Sequence, residues 1–338
     1  MNELFKRALN GQDNQVPPIW FMRQAGRYHK HYQDLRAKHS FIELCKNPEL
    51  AAEVTWGPIR DFDFDVAILF SDLLFPLEAL GLGLSYDPGP KLGRQLTMQN
   101  IQSLKPLAEA IQGVEFQREA MKAARERLPK NKSLIGFVGG PWTLFTYAVE
   151  GEHKGSLTKA KASKDLYRAF SEHIVPLLIA NIELQLEGGA ELVMIFDTAA
   201  GELWPQQFRK WVEPDLNRLL SLFPGQLGYY AKGVSPEHLV GMKDDARWAG
   251  FGYDHRWDLA TLLKNRPFGF IQGNFDQALL HSSPSDLNTW FELYLKPLKQ
   301  LPLEQRRGWV CGLGHGVLPG TPESSVKKLI DLVRKEFA

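Results

Sequence analysis

Cysteine is scarce in this chain of 338 residues, which holds only Cys45 and Cys311. Two thiols cannot build a disulfide framework, and their positions have no zinc-site spacing. Long apolar runs are missing too: Ile174–Ile182 stops at Glu183, well short of the ~18 residues that a membrane span needs. The opening Met1-Asn2-Glu3-Leu4-Phe5-Lys6-Arg7 has no apolar stretch and carries a glutamate, so neither a signal nor a transit peptide is expected. An excess of one charge is absent, with 40 Lys+Arg against 39 Asp+Glu and a formal net charge of +1, which speaks against nucleic acid as a partner. There is no repeat and no low-complexity tract. Gly312-Leu313-Gly314-His315-Gly316 is not a dinucleotide fingerprint, and neither a phosphate-binding Gly-x-x-x-x-Gly-Lys-Ser/Thr loop nor a Gly-x-Ser-x-Gly elbow occurs. The default expectation is a cytoplasmic, single-chain enzyme.

Hydrophobic residues make up 44% and charged residues 23%, the balance of a globular protein with a large core. Eight short apolar runs stand out: Pro18–Met22, Val66–Phe70, Leu134–Val138, Leu192–Phe196, Gln226–Ala231, Ala249–Tyr253, Phe268–Gln272 and Trp309–Leu313. Continuous runs of this length suit strands buried on both faces. Alternating with helical patterns, eight of them predict a (β/α)8 TIM barrel, read as a single domain over residues 1–338. Ser40-Phe41-Ile42-Glu43 is a capping box, Asn47-Pro48 an N-cap followed by a first-turn proline, and Gly188-Gly189 a stop for a helix from about Ser163 to Glu187. Leu73–Ser103 reads as a long excursion between a strand and the following helix.

A barrel carries its active site on the loops after its strands. Arg23-Gln24-Ala25-Gly26-Arg27-Tyr28 follows the first run, with Arg36 further on; Ser71-Asp72 follows the second, Asp197-Thr198 the fourth, and Gly314-His315-Gly316 the last. Arg23 and Arg27, four apart, would share a helix face and clasp carboxylates or phosphates, or else form a structurally paired basic surface. Asp72 is either the partner of a buried arginine or a ligand for N–H groups. Asp197 has the same choice, with structural hydrogen bonding favoured. His315 lies between glycines that permit a close backbone approach, which tilts it towards a site. His29, Lys30, His31 and His39 make no metal site, because i,i+2 residues do not share a helix face and no other ligand completes a set.

The stretch Pro18-Ile19-Trp20-Phe21-Met22-Arg23-Gln24-Ala25-Gly26-Arg27-Tyr28 carries a specific resemblance, together with Phe70-Ser71-Asp72-Leu73-Leu74, Gly139-Gly140-Pro141-Trp142-Thr143 with Thr146-Tyr147, Gln272-Gly273-Asn274 and Gly314-His315-Gly316. From about residue 16 to 330 the chain resembles the uroporphyrinogen decarboxylase family. The resemblance implies a cofactor-free barrel enzyme, usually a homodimer, that removes carbon dioxide from four acetate side chains of uroporphyrinogen III to give coproporphyrinogen III. Carried over, Arg23, Arg27 and Arg36 bind substrate carboxylates, Asp72 receives the pyrrole N–H groups, and Tyr147 and His315 line the cleft. Thr198 and Ala199 stand where the family usually has serine and an aromatic, and Gln277 where it usually has proline; a hydroxyl survives at Thr198 on a β-branched side chain.

The chemistry suits these residues. A substrate with eight carboxylates needs a local group of arginines on a nearly neutral protein. Protonating a pyrrole lets the ring accept the electron pair left by carbon dioxide, and a carboxylate at the N–H groups stabilises that cation. Either Arg23 or His315 is the candidate proton donor; a guanidinium is a reluctant acid, whereas imidazole has the better intrinsic pKa. Two rivals are a zinc-dependent methyltransferase of the same superfamily and a non-catalytic tetrapyrrole-binding protein. The first needs a His-x-Cys segment with a later cysteine, whereas here Cys311 precedes His315.

Overall fold

The computed structural model describes residues 1–86, 89–266 and 268–338. Seven strands form one parallel sheet: β1 (Val66–Ile68), β4 (Ser133–Gly139), β5 (Val193–Phe196), β6 (Leu227–Tyr230), β7 (Gly250–Gly252), β8 (Phe270–Phe275) and β9 (Trp309–Leu313), hydrogen-bonded in that order. The remaining two, β2 (Leu84–Tyr86) and β3 (Pro90–Leu92), pair as an antiparallel hairpin within the expected excursion, part of which lies outside the described residues. The capping box, the Asn47-Pro48 start and a helix Lys164–Glu187 ending at Gly188 all form.

The first apolar run departs from expectation. Residues 18–22 form a single bridge, Ile19 with Cys311, and no strand. They nevertheless lie between the two outer strands: Cys311 N–H donates to the Pro18 carbonyl (2.9 Å), Trp20 N–H to Cys311 (3.2 Å), and on the other side Asp65 N–H donates to Ile19 (3.0 Å). The physical reason is where the donors go. Pro18 has none, Ile19 N–H is taken by the Asp65 carboxylate (2.9 Å) and Phe21 N–H by the Gln24 side chain (3.3 Å), so a regular ladder cannot form.

Two apolar shells follow from the period of two along each strand. Val66, Ile135, Met194, Tyr230, Phe270 and Val310 face inward as one cluster, joined by Trp20 and Met22, while the opposite faces pack against the helices. The helix Glu3–Leu9 seals the bottom of the inner cluster with Phe5 and Ala8. A fully buried phenylalanine contributes roughly 1.5–3 kcal/mol. No helix among the described residues is long and apolar enough to cross a membrane.

Candidate active site

In a parallel sheet every C-terminal end lies on one edge, so the segments after β1, β5, β6, β7 and β9 meet at one mouth. Asp72 comes there from β1, Asp197 and Thr198 from β5, Lys232 from β6, Asp254 from β7 and His315 from β9.

Arg23 and Arg27 do not share a helix face. Residues 22–28 are a run of turns, and the helix begins only at Lys30. Gln24 fixes the run: its side-chain amide donates to the Val66 carbonyl (3.2 Å) and its carbonyl accepts the Tyr28 hydroxyl (2.8 Å). The turn holds Arg23 at φ 58°, a left-handed conformation uncommon outside glycine and concentrated at functional sites. The aliphatic part of its side chain lies against Gly316, where an added Cβ would stand 2.5 Å from Cδ. Gly316 is therefore glycine for space.

Asp72 is half-buried in the segment after β1. Leu74 N–H donates to its Oδ1 at 2.8 Å. Burial raises the pKa of its carboxyl above the ordinary aspartate value, offset in part by the Leu74 amide, the Tyr86 hydroxyl and the Arg23 charge. Tyr86, on the hairpin, faces Asp72 without reaching hydrogen-bond geometry, and its buried hydroxyl has no partner among the described residues. Burial and the Asp72 charge push the Tyr147 phenol up, while Arg23 pulls it down. Asp72, Arg23, Tyr86 and Tyr147 thus form one group.

His315, next to the Gly316 that Arg23 lies against, is reached from the far side of the mouth by Tyr230 of β6. The Tyr230 hydroxyl donates to the Gly314 carbonyl (2.7 Å) and stands 3.1 Å from His315 Nδ1, with the two rings stacked 5.9 Å apart. The hydroxyl has one proton and gives it to the shorter contact, so Nδ1–H of His315 donates to the tyrosine oxygen and Nε2 keeps its lone pair. Burial, then the Arg23 and Lys232 charges, lower its pKa to about 3, so the ring is neutral.

Arg27 and Arg36 lie further out, near Tyr32, whose phenol is raised by burial and lowered by both guanidiniums. Asp72 and Arg36 both act on the buried Cys45 thiol, which ties this outer group to the inner one. Thr198 lies half-buried on the same rim and makes no hydrogen bond to the described residues. Its neighbour Asp197 is structural: fully buried, it accepts the Thr143 amide (2.8 Å) and hydroxyl (2.7 Å), capping the helix Pro141–Glu150 that carries Tyr147. Burial raises the Asp197 carboxyl to about 6 against those bonds.

Sequence reasoning missed Tyr86, Tyr230 and Lys232, while the strand-end rule does place Asp254 at the end of the sixth run. Lys232 stands directly after an apolar run and was within reach of the same rule; Tyr86 gave no signal, since only the hairpin brings it to Asp72. A cavity of about 880 Å³ opens at the other end of the sheet, lined by Lys6, Glu191, Trp248, Arg266 and Arg307 among others. Its charges are largely satisfied internally: the Met1 amine pairs with Glu191, Arg307 with Asp13, and Arg266 donates to the Gly269 carbonyl.

The profile of the family described as Uroporphyrinogen decarboxylase (URO-D) matches residues 1–336. The chain is 33% identical over 352 residues to a uroporphyrinogen decarboxylase of Thermus thermophilus, covering 100% of this chain and 99% of that one. It is 35% identical over 356 residues to that of Helicobacter pylori, covering 98% of each. Among solved structures, a methyltransferase from Methanosarcina mazei superposes with a TM-score of 0.78 over 100% of both chains at 19% identity, a likeness of fold alone. With a profile spanning nearly every residue and full-length relatives above 30% identity, the chain belongs to the uroporphyrinogen decarboxylase family.

Proposed function

We propose that this chain is a carboxy-lyase that removes the carboxyl groups of the four acetate side chains of uroporphyrinogen III, giving coproporphyrinogen III in tetrapyrrole biosynthesis. The observation that carries the reading is Asp72: a half-buried carboxylate after β1 that accepts the Leu74 amide and feels the charge of Arg23 beside Tyr86 and Tyr147, in a chain of this family. Asp72 receives pyrrole N–H groups. A proton added to the ring makes it cationic, the carbon–carbon bond to the carboxylate breaks, and its electron pair enters the ring as carbon dioxide leaves. A second proton, delivered to the exocyclic carbon, produces the methyl group, and loss of the first proton from the ring restores the pyrrole, so that each carboxyl lost is replaced by one net proton. The negative charge of Asp72 stabilises the cationic ring throughout. Arg23 lies against this centre, while Arg27 and Arg36 grip carboxylates further out. Tyr147 lines the cleft, and Thr198 offers a hydroxyl on its rim. His315 takes part as a neutral imidazole whose Nε2 accepts a hydrogen bond, a role that suits its depressed pKa better than that of proton store.

The whole chain, 1–338, is read as one barrel domain, with residues 18–22 in the eighth strand position; their hydrogen bonds to both outer strands support closure. A homodimer is the family's usual state, and Trp204, 63% exposed on the rim, offers apolar surface for it. Two buried free cysteines fit a reducing cytoplasmic compartment. The methyltransferase reading has less support: Cys45 lies near Asp72 and Cys311 near Asp65, so the thiols do not meet to make a zinc donor set. Incubating the protein anaerobically with uroporphyrinogen III and measuring released carbon dioxide tests the activity; no release from folded protein would leave tetrapyrrole binding alone.

A further inference from the structure

The segment after β6 is built with care that the proposed chemistry leaves unexplained. β6 is the middle strand of the seven, and residues 18–22 bridge the two outer ones, so β6 stands directly across the mouth from the segment leading to Arg23. Tyr230, the last residue of β6, reaches over that mouth to the Gly314 carbonyl and His315. Lys232 lies two residues on, in the turn that follows β6. Its turn is anchored from both flanks. Asp254, only 1% exposed, accepts the Gly233 amide (2.7 Å), the Arg256 amide (3.0 Å) and the Arg256 guanidinium (3.0 Å). Gly201 presses so closely that a Cβ there would stand 2.3 Å from the Lys232 carbonyl oxygen. The Lys232 ammonium has no carboxylate within ion-pair distance among the described residues, although its charge is felt by both His315 and His153. A fixed backbone thus presents an uncommitted, solvent-accessible cation to the cleft.

We propose that Lys232 is a second carboxylate-binding arm of this cleft, gripping an acetate or propionate carboxylate of the tetrapyrrole on the β6 side while Arg27 and Arg36 grip the opposite side. The inference rests on the substrate class proposed above and adds where that substrate is held. Two-sided holding matters because four decarboxylations occur on one macrocycle. Each intermediate either dissociates or reacts again, and every carboxylate lost removes one handle. An arm across the mouth slows dissociation between steps.

The test compares Lys232→Gln, which keeps length and polarity but removes charge, with Lys232→Arg, which keeps the charge. For Lys232→Gln, KM for uroporphyrinogen III should rise roughly tenfold or more, the range of a charge-assisted hydrogen bond, with a smaller change in kcat. Porphyrinogens with seven, six and five carboxylates should accumulate in the medium where the unmodified protein releases mainly the four-carboxylate product. Lys232→Arg should restore most of both. Titration with coproporphyrin III, a tetracarboxylate, followed by absorbance, reads the arm without turnover and should weaken only in Lys232→Gln. Unchanged KM, product pattern and coproporphyrin affinity in Lys232→Gln would overturn the proposal. So would a fall in kcat alone, which would assign Lys232 to proton delivery. If the unmodified protein releases no carbon dioxide, the decarboxylase reading fails instead, and the titration still decides whether Lys232 holds carboxylates.

Discussion

At the scale of single residues, Asp72 and His315 make opposite demands on the protein. Burial raises the pKa of the Asp72 carboxyl, so folding favours its protonated form and the ionised form is held at a cost. The unfolded chain then binds fewer protons at this group than the folded one, and stability lessens as pH rises through its folded pKa. Asp72→Asn removes that cost and can still accept the Leu74 amide. Its Tm should equal or exceed the unmodified value at pH 7, while kcat falls about 100- to 1,000-fold, the usual loss for one electrostatic group at a transition state. Paired melting and turnover measurements check this, and an Asn variant with near-normal kcat would remove charge stabilisation from the mechanism. His315, by contrast, stays neutral down to about pH 3. Between pH 5 and 8 the pH profile of kcat/KM should therefore contain no histidine limb from it, and an acid limb above the ordinary aspartate range should belong to Asp72. Profiles of the unmodified protein and His315→Gln should share that limb; its disappearance in the variant would return His315 to the role of acid. The strand-end rule made Asp72 and His315 legible because charge after an apolar run is a local pattern. It gave no access to Tyr86, whose position depends on hairpin pairing, or to the lowered His315 pKa, which depends on packing.

Whole elements carry these residues, and the fit between them sets how much change they tolerate. The helix Pro141–Glu150 brings Tyr147 to the cleft, and its first turn is capped by Asp197 from β5. Gly140 lets the two meet: a Cβ there would stand 2.3 Å from the Asp197 carboxyl carbon. Gly140→Ala should lower Tm and kcat together, because displacing Asp197 uncaps the helix and shifts Tyr147; loss of a cap alone costs ~1 kcal/mol. Thermal unfolding and steady-state turnover of the variant check both. Asp197 also writes a pH signature. Its carboxyl titrates near 6 in the fold against an ordinary 3.8, so its contribution is fully present below 3.8 and is lost as pH rises through 6. Denaturant unfolding between pH 4 and 8 should show that decline, and Asp197→Asn should flatten it. Seven of the eight apolar runs were readable as strands because burial on both faces leaves a continuous apolar signature. Residues 18–22 have that signature and still fail as a strand, since hydrophobicity does not report that Pro18 lacks an N–H or that Asp65 and Gln24 take the next donors. The same blindness affects Arg23 and Arg27: a four-residue spacing suggests a helix face, but the Gln24 bonds to Val66 and Tyr28 impose turns.

On the scale of the whole molecule, the proposed function asks a nearly neutral chain to capture a substrate with many negative charges, which the distribution of charge rather than its total would have to do. The net charge is +1, yet Arg23, Arg27 and Arg36, after the first apolar run, and Lys232, in the turn after β6, have no carboxylate in ion-pair distance among the described residues. Many cations elsewhere are paired, for example Lys132 and Arg334 with Asp63 or Arg247 with Asp245. Such a local field draws a polyanion over a distance set by the Debye length, about 10 Å at 0.1 M salt and about 3 Å at 1 M. Capture should therefore be screened while the reaction inside the cleft is not. Measured from about 0.05 to 1 M salt, kcat/KM should fall steeply and kcat at saturation should change little. Arg36→Ala, removing an outer cation, should raise KM and flatten the salt slope with a lesser effect on kcat, because its contact exists equally in bound substrate and transition state. Arg23→Ala should lower kcat as well, since Arg23 acts on the Asp72 centre itself. A salt-independent kcat/KM would show that the rim cations do not attract the substrate; an Arg36→Ala variant that lost kcat as heavily as Arg23→Ala would show that the outer group belongs to the reacting centre.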